Sequence, residues 1–134
     1  MKTNPAPNWI GKSPCAATEY LIWATKGAKP TYNLDYAKSI NSGKNIKNVF
    51  QTSLTPPSEK KKGKFPCQKR LEGLTDHLIN LHSNEGDIIL VPFAGSGTEC
   101  IASQINKRNW ISFETNREYM ELANMRLDDV ADFN

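Results

Sequence analysis

The sequence predicts an α/β fold, and three observations support this prediction. Two short apolar runs, at residues 88–92 and 109–113, are typical of β-strands. Each run is followed by a stretch with helical periodicity, at residues 98–106 and 116–127. A glycine-rich turn at residues 93–98 connects the first strand to its helix. This order predicts a β-α-β-α unit, whose right-handed crossover places the two strands parallel and adjacent.

The first strand and its turn are the most informative part of the chain. Residues 88–92 are apolar at successive positions, which is typical of a central strand covered on both faces of a parallel sheet. Gly95 and Gly97 allow positive φ angles and let a ligand approach the backbone closely. The free N–H groups of the helix that follows can bind such a ligand. We therefore expect a ligand site built mainly from main chain.

Helix starts can also be predicted. Ser96 with Glu99, and Thr115 with Glu118, fit the S/T-x-x-E capping box, which predicts that a helix begins at each position. Four leucines and isoleucines between positions 71 and 79 recur at helical spacing. They predict an amphipathic helix over residues 69–83 with one buried stripe.

The N-terminal half has a different character. Residues 18–25 are apolar, β-branched and aromatic, and lie between Pro14 and Gly27, which predicts a strand. Residues 27–63 contain scattered prolines and glycines without a sustained period, so they predict a loop-rich surface segment. We expect two parts, a basic strand-and-loop part at residues 1–64 and a β-α-β-α part at residues 65–134.

Charge divides the chain in the same way. Residues 1–70 carry 13 Lys and Arg against 3 acidic residues, whereas residues 71–134 carry 4 against 11, although the whole chain has a net charge of only +3. Such asymmetry favours a polyanionic partner for the first half. A lysine-rich surface that contacts only solvent is the alternative.

Composition limits the class of protein. The 134 residues suffice for one domain with a modest core, and no apolar run is long enough to cross a bilayer. The polar N-terminus is not typical of a signal peptide. Cys15, Cys67 and Cys100 lack metal-ligand spacing, and His77 and His82 do not share the helix face that a metal pair needs. We expect a cytoplasmic protein with free thiols and no metal site.

Glu114 ends the second predicted strand, where an acidic side chain in a nucleotide-binding unit can accept hydrogen bonds from ribose hydroxyls. Cys100 occupies the place of the third glycine of a dinucleotide fingerprint, and no lysine follows the glycines as in a phosphate-binding loop. The combination favours an adenosine ligand without a large phosphate group.

Three segments carry a resemblance to a known family. Pro92–Thr98 resembles the S-adenosylmethionine motif of the DNA methyltransferases that modify amino groups of adenine or cytosine. Phe65–Arg70 resembles the family's His-Pro-Thr-Gln-Lys-Pro segment. Residues 2–8 and 18–24 are similar to segments of its permuted β-class branch, in which the catalytic motifs precede the cofactor motifs. The likeness spans residues 2–127 in family order. Within the family, the chain resembles the methyltransferases of type II restriction-modification systems.

The resemblance implies a fold, a cofactor and two sets of site residues. The fold is the cofactor-binding half of a Rossmann-like methyltransferase, with S-adenosylmethionine as cofactor, double-stranded DNA as partner, adenine N6 as target and a prokaryotic or phage cytoplasm as location. The implied cofactor residues are Gln68, Lys69, Phe93, Gly95, Ser96, Gly97, Thr98 and Glu114. The implied DNA-binding residues, in a recognition region at 26–64, are Lys44, Lys47, Lys60, Lys61, Lys62 and Lys64.

The chain departs from the family in two respects. It contains no Asp-Pro-Pro-Tyr type motif, so we assign it no catalytic residue and expect it to be inactive alone. Val91 replaces the aspartate that accepts a hydrogen bond from the cofactor's ammonium group, a loss of roughly 1.5–3 kcal/mol. Phe65, Cys67 and Arg70 also replace the family's residues in the adjoining segment.

The missing motif has a consequence for association. In the family, the strand that carries it lies beside the strand at 88–92, so its absence leaves an open sheet edge. We expect the edge to be covered by self-association or by a second chain that carries the motif. Two alternatives stay open: a non-catalytic DNA-binding or regulatory remnant with a decayed cofactor pocket, and a different nucleotide-binding protein such as a nicotinamide-dependent enzyme.

Overall fold

The computed structural model describes residues 1–3, 5, 7–27 and 29–131. Asn4 and Ala6, which belong to the N-terminal segment similar to the methyltransferases, lie outside the described residues. The helices are α1 (Leu34–Ser39), α2 (Asp76–His82), α3 (Thr98–Ile105) and α4 (Arg117–Ala131), and the strands are β1 (Ile88–Val91) and β2 (Asn109–Ser112). A short 3-10 helix at Pro57–Lys60 lies within the loop-rich segment.

The β1-α3-β2-α4 unit confirms the predicted order and the predicted parallel pairing. β1 and β2 are hydrogen-bonded neighbours, with Ile88 opposite Asn109 and Val91 opposite Ser112. The core lies on one face of this sheet, where α3 and α4 pack. Its buried members are Val91, Ala94, Cys100, Ile101 and Leu127.

The other face of the sheet is uncovered in the part of the chain that the structure describes. The exposed fractions of Ile88, Leu90 and Ile111 are 64%, 62% and 50%. β1 pairs only with β2 within this part. The expectation of a central strand covered on both faces is therefore wrong for these residues. An apolar strand sequence favours burial of both faces, but it does not determine whether the described residues cover them.

Residues 18–25 do not form the predicted strand. The segment has no regular secondary structure, and Tyr20 and Ile22 are almost fully exposed. A strand requires a hydrogen-bonded neighbour, and none of the described residues provides one here. Glu19 fixes one end of the segment through Lys2 and Lys69, and the Trp23 ring packs against His82 with ring centroids 5.1 Å apart.

The predicted helix at 69–83 is shorter than expected. Regular α-helix is confined to α2, because Glu72 is extended and Gly73 adopts a left-handed φ of 75°. The Thr75 hydroxyl donates to the Arg70 carbonyl at 2.8 Å across this irregular turn. A single glycine in a helical pattern can exclude the residues around it from the regular helix in this way.

Both capping predictions are wrong by one residue. α3 has Gly97 as its N-cap and no side-chain cap hydrogen bond. At the start of α4, the Asn116 side-chain oxygen accepts the N–H of Tyr119 at 3.2 Å, so Asn116 provides the cap in place of Thr115. Among the described residues, no helix combines the length and the apolar character that crossing a membrane requires.

Candidate functional site

The glycine turn lies at the carboxyl end of β1, beside the carboxyl end of β2. Gly95 and Gly97 have φ angles of 53° and 72°, in the left-handed region that favours glycine. The Ala94 N–H donates to the Phe113 carbonyl at 2.9 Å, which joins the turn to the end of β2, and the Gly97 N–H donates to the Ala94 carbonyl at 2.8 Å within the turn. The backbone conformation that the sequence predicted for this turn is confirmed.

Glu114 joins the end of β2 to the turn. Its Oε2 accepts the Gly95 N–H and its Oε1 accepts the Asn116 N–H, each at 2.8 Å. These bonds, the one from Asn116 first, hold the pKa of the carboxyl below its ordinary value. An ionised carboxylate has about four acceptor positions.

Phe65 covers the turn, a contact that sequence reasoning missed. A Cβ atom placed on Gly95 would lie 2.8 Å from the Phe65 ring. The same ring packs edge-on against Tyr119 of α4, with centroids 4.7 Å apart. The sequence identified Phe65 only as a replacement for histidine, and no local pattern indicated that its ring lies on a glycine 30 positions later.

Arg126 supports the turn from beneath. The side chain is 8% exposed, and its guanidinium donates to the Ser96 carbonyl and, at 3.2 Å, to the Thr98 hydroxyl. Burial lowers the pKa of Arg126, and the charges of Glu59 and Glu99 oppose this shift. Burial also raises the pKa of the Glu99 carboxyl. The sequence analysis gave Arg126 no role.

Lys69 lies beside the turn through its backbone, and Gln68 precedes it in the chain. The Thr98 hydroxyl donates to the Lys69 carbonyl at 3.4 Å. The side chains point elsewhere: Gln68 is buried and donates to the Glu59 carbonyl at 2.8 Å, while the Lys69 ammonium contacts Glu19 at 2.6 Å. The structure therefore brings these two residues to the site but does not direct their polar groups into the turn.

Lys2, Glu19 and Lys69 form a charge cluster. Hydrogen bonds from Lys2 and then from Lys69 lower the pKa of Glu19 to about 2. Glu19 is therefore ionised at neutral pH, and the two ammonium groups are drawn together at the start of the 18–25 segment. Sequence spacing could not indicate this cluster, because its members are up to 67 positions apart.

Val91 and Phe93 take opposite positions around the turn. Val91 is 6% exposed and packs in the core, so its side chain contributes apolar contacts and no hydrogen bond. Phe93 is exposed just beyond the end of β1.

A cavity of about 420 Å³ lies beside the glycine turn, lined by Ala94, Glu114 and Thr115 among others. Small-molecule sites occupy volumes of this order.

The basic residues lie along the segment that leads to Phe65. Lys44, Lys47, Lys61, Lys62 and Lys64 are exposed, and Lys60 is half-buried. Lys62 pairs with Asp129 of α4 at 2.9 Å, and a Cβ on Gly63 would lie 2.9 Å from Leu122. The end of this basic segment, residues 60–64, is therefore fixed against α4 close to the glycine turn.

Among the described residues, no three His, Cys, Asp or Glu side chains form a group that could hold a metal ion. Cys15 and Cys67 are exposed free thiols, and Cys100 is buried. Burial raises the pKa of the Cys100 thiol, so this core residue stays protonated at neutral pH.

Comparison with known families decides the assignment. The profile of the N6/N4 methyltransferases, described as DNA methylase, matches residues 1–125. The chain belongs to this family. The resemblance read from the glycine turn is thereby confirmed, and the nicotinamide-dependent alternative has no support.

Relatives within the family are type II methyltransferases. The chain is 41% identical to M2.DpnII from Streptococcus pneumoniae over 131 residues, which are 96% of this chain and 48% of that protein. It is 31% identical to M.HinfI from Haemophilus influenzae, covering 96% of this chain and 38% of that protein. The chain thus spans about half the length or less of these methyltransferases.

Solved structures show the same fold. A complex of M1.HpyAVI with SAM superposes with a TM-score of 0.74 at 38% identity, covering 95% of this chain and 58% of that one. The cytosine-N4-specific PvuII DNA methyltransferase superposes with a TM-score of 0.61 at 20% identity, covering 77% of this chain and 40% of that one, which supports the fold alone. The predicted partial Rossmann-like fold is confirmed.

Proposed function

We propose that this chain is the cofactor-binding and DNA-binding part of a site-specific DNA methyltransferase that transfers a methyl group from S-adenosylmethionine to adenine N6. The observation that carries the proposal is the glycine turn held by Glu114. It places left-handed glycines and an ionised carboxylate at the carboxyl ends of two parallel strands, where such folds bind nucleotides. The solved SAM complex of M1.HpyAVI supports the same ligand.

S-adenosylmethionine fits the residues that surround the turn at its adenosine end. Glu114 would accept hydrogen bonds from the ribose hydroxyls at acceptor positions that the backbone N–H groups leave open. The bound cofactor would supply the methyl group. Val91 offers no acceptor for the ammonium group, so we expect weaker binding than a site with aspartate there would give.

Calorimetric titration of the chain with S-adenosylmethionine tests the cofactor site. We expect binding by the wild type, and a loss of about tenfold or more for Glu114→Gln, because one charged acceptor is removed. Glu118→Gln is the matched control, since Glu118 is exposed on the first turn of α4. No heat at millimolar ligand, or equal affinity for both variants, would refute the proposed cofactor site.

DNA binding would use the basic segment. Exposed lysines that neutralise phosphates give an affinity that falls steeply with salt. We expect fluorescence anisotropy with a labelled duplex to show this slope, and replacing one phosphate-contacting lysine to reduce it by about 1. Lys61 is a suitable target because it is exposed, and Lys107 is the control, because it is an exposed lysine outside the basic segment.

The adenine methylation reaction would require a polypeptide segment that carries the family's catalytic motif. This sequence lacks the Asp-Pro-Pro-Tyr motif, whose carbonyl and aromatic groups receive a flipped base. We expect no methyl transfer by the chain alone, and transfer to adenine after addition of a chain that carries the motif. Methylation by the isolated chain would contradict this requirement.

A second candidate function is a DNA-binding or regulatory remnant without a working cofactor site. The burial of Val91 in the core favours it, because the residue that should meet the ammonium group instead serves packing. Tight duplex binding together with no cofactor binding would favour this candidate over the methyltransferase part.

A further inference from the structure

Glu59 joins two stretches of the chain that lie on either side of the lysine cluster. It belongs to the short 3-10 helix Pro57–Lys60. Its backbone carbonyl accepts the Gln68 side-chain N–H at 2.8 Å, and its carboxylate Oε2 accepts the Leu71 N–H at 2.9 Å. Glu59 therefore closes residues 57–71 into one unit, which we call the connecting segment.

The connecting segment packs directly on the glycine turn. The Phe65 ring lies where a Cβ atom on Gly95 would be 2.8 Å from it, and the same ring contacts Tyr119 of α4. The Lys69 carbonyl accepts the Thr98 hydroxyl at 3.4 Å. A change in the position of this segment therefore changes the contacts of the turn.

Glu59 also acts on the turn through its charge. The second carboxylate oxygen, Oε1, is buried and has no hydrogen-bond partner among the described residues. The negative charge favours the protonated form of Arg126 and so opposes the lowering of the Arg126 pKa by burial. Arg126 in turn donates to the Ser96 carbonyl in the turn. Two routes thus lead from Glu59 to the turn, one through hydrogen bonds and one through Arg126.

The same segment carries the lysines at 60, 61, 62 and 64. These like charges lie close together and repel one another, which opposes a single ordered conformation of the segment. Duplex phosphates would neutralise the charges and so favour the conformation that packs on the turn. A segment that one ligand has already ordered costs the next ligand less conformational entropy, so the two binding events favour each other.

We propose that Glu59 is a positioning residue that couples duplex binding by the basic segment to cofactor binding at the glycine turn. It acts through Leu71 and Gln68, whose bonds to Glu59 keep Phe65 and Lys69 against the turn. The inference rests on the proposed function, because it names the regulation of that function's two binding sites. Linkage makes the coupling reciprocal, so each ligand raises the affinity for the other by the same factor.

Calorimetric titration with S-adenosylmethionine, without and with a saturating DNA duplex, measures the coupling. We expect the duplex to raise the cofactor affinity about fivefold or more in the wild type. Glu59→Ala should reduce this factor to about 1, because the Leu71 N–H loses its acceptor. Glu59→Gln keeps an acceptor for Leu71 and removes the charge, so it should retain the factor within about twofold. Equal loss in both variants would overturn the route through Leu71.

Glu72→Ala is the matched control, because Glu72 is an exposed acidic residue directly after Leu71. It should leave the coupling factor at its wild-type value. Circular dichroism shows whether each variant folds, and a loss of stability alone would lower both cofactor affinities without changing their ratio. A wild-type factor of about 1, or the same factor in Glu59→Ala and Glu72→Ala, would overturn the proposal.

Hydrogen exchange at residues 95–98 provides a readout that needs no cofactor. We expect the duplex alone to slow the exchange of these amides in the wild type and in Glu72→Ala, but not in Glu59→Ala. This result together with no cofactor binding would leave the positioning role of Glu59 standing and remove the cofactor site of the proposed function. Unchanged exchange at the turn when the duplex is added would overturn the coupling.

Discussion

Replacing Arg126 with methionine is expected to destabilise the glycine turn more than any exposed substitution on α4. The guanidinium is 8% exposed and donates to the Ser96 carbonyl and the Thr98 hydroxyl. Methionine has a similar length and fills the space, but it leaves both oxygens without this donor. The variant therefore isolates the hydrogen bonds from the packing.

The expected magnitude follows from these contacts. Hydrogen bonds to a charged group contribute about 1.5–3 kcal/mol, and an acceptor left buried without a donor adds a penalty of about 1–3 kcal/mol. Release of a buried cation offsets part of this loss, since burial already lowers the pKa of Arg126. We expect a net decrease of about 2 kcal/mol in the free energy of unfolding.

Urea denaturation and hydrogen exchange measure the two parts of this prediction. Arg117→Met is the matched control, because Arg117 is exposed on the same helix and pairs only with Glu121 at i,i+4, an interaction contributing about 0.3–0.5 kcal/mol. In Arg126→Met, the amides of residues 95–98 should exchange faster than in the control. Equal unfolding free energies for the two variants, or unchanged exchange at the turn, would refute the supporting role of Arg126.

Three further predictions concern the turn, pH and salt. Gly95→Ala should lower the free energy of unfolding by about 2 kcal/mol or more, because the new Cβ would lie 2.8 Å from the Phe65 ring and Gly95 has a left-handed φ of 53°. Gly86 is the control, because its φ is also left-handed but no atom lies near its Cβ position. Thermal unfolding of Gly86→Ala should therefore show only the smaller cost of the backbone conformation. The pKa of Glu19 is lowered to about 2, so its contribution to folding stability is present above pH 4.5 and is lost as the pH falls toward 2. The difference in unfolding free energy between wild type and Glu19→Gln, below about 1 kcal/mol for this exposed group, should therefore vanish over that pH range. Duplex affinity measured by anisotropy should fall about 1000-fold or more between 50 and 200 mM salt if six lysines contact phosphates; an affinity independent of salt would contradict a role for the basic segment.

The β-α-β-α unit could be predicted because each of its elements carries a local signal. Apolar runs mark β1 and β2, and Gly95 and Gly97 mark the turn, since few other residues tolerate its φ angles. Residues 18–25 carry an equally strong strand signal, yet they remain irregular. Their composition favours a strand, but none of the described residues pairs with them as a neighbouring strand.

The supporting contacts of the turn could not be predicted, for a different reason. Arg126 acts on backbone and hydroxyl oxygens 28 and 30 positions away, and helical periodicity only places it on the inner face. Phe65 reaches Gly95 through tertiary packing. Gln68 and Lys69 belong to a recognisable segment, but the direction of their side chains depends on Glu59 and Glu19, which no local pattern connects to them.

The single crossover that joins β1 to β2 also affects how the chain folds. Parallel strands normally pair only after long loops close, which makes parallel sheets slow to form. Here one short helix, α3, joins the pair, so the separation in sequence between contacting strand residues is small. The cofactor half can therefore acquire its structure early and independently. Ile88, Leu90 and Ile111 then remain exposed to solvent, and such apolar surface on an early-formed sheet favours aggregation.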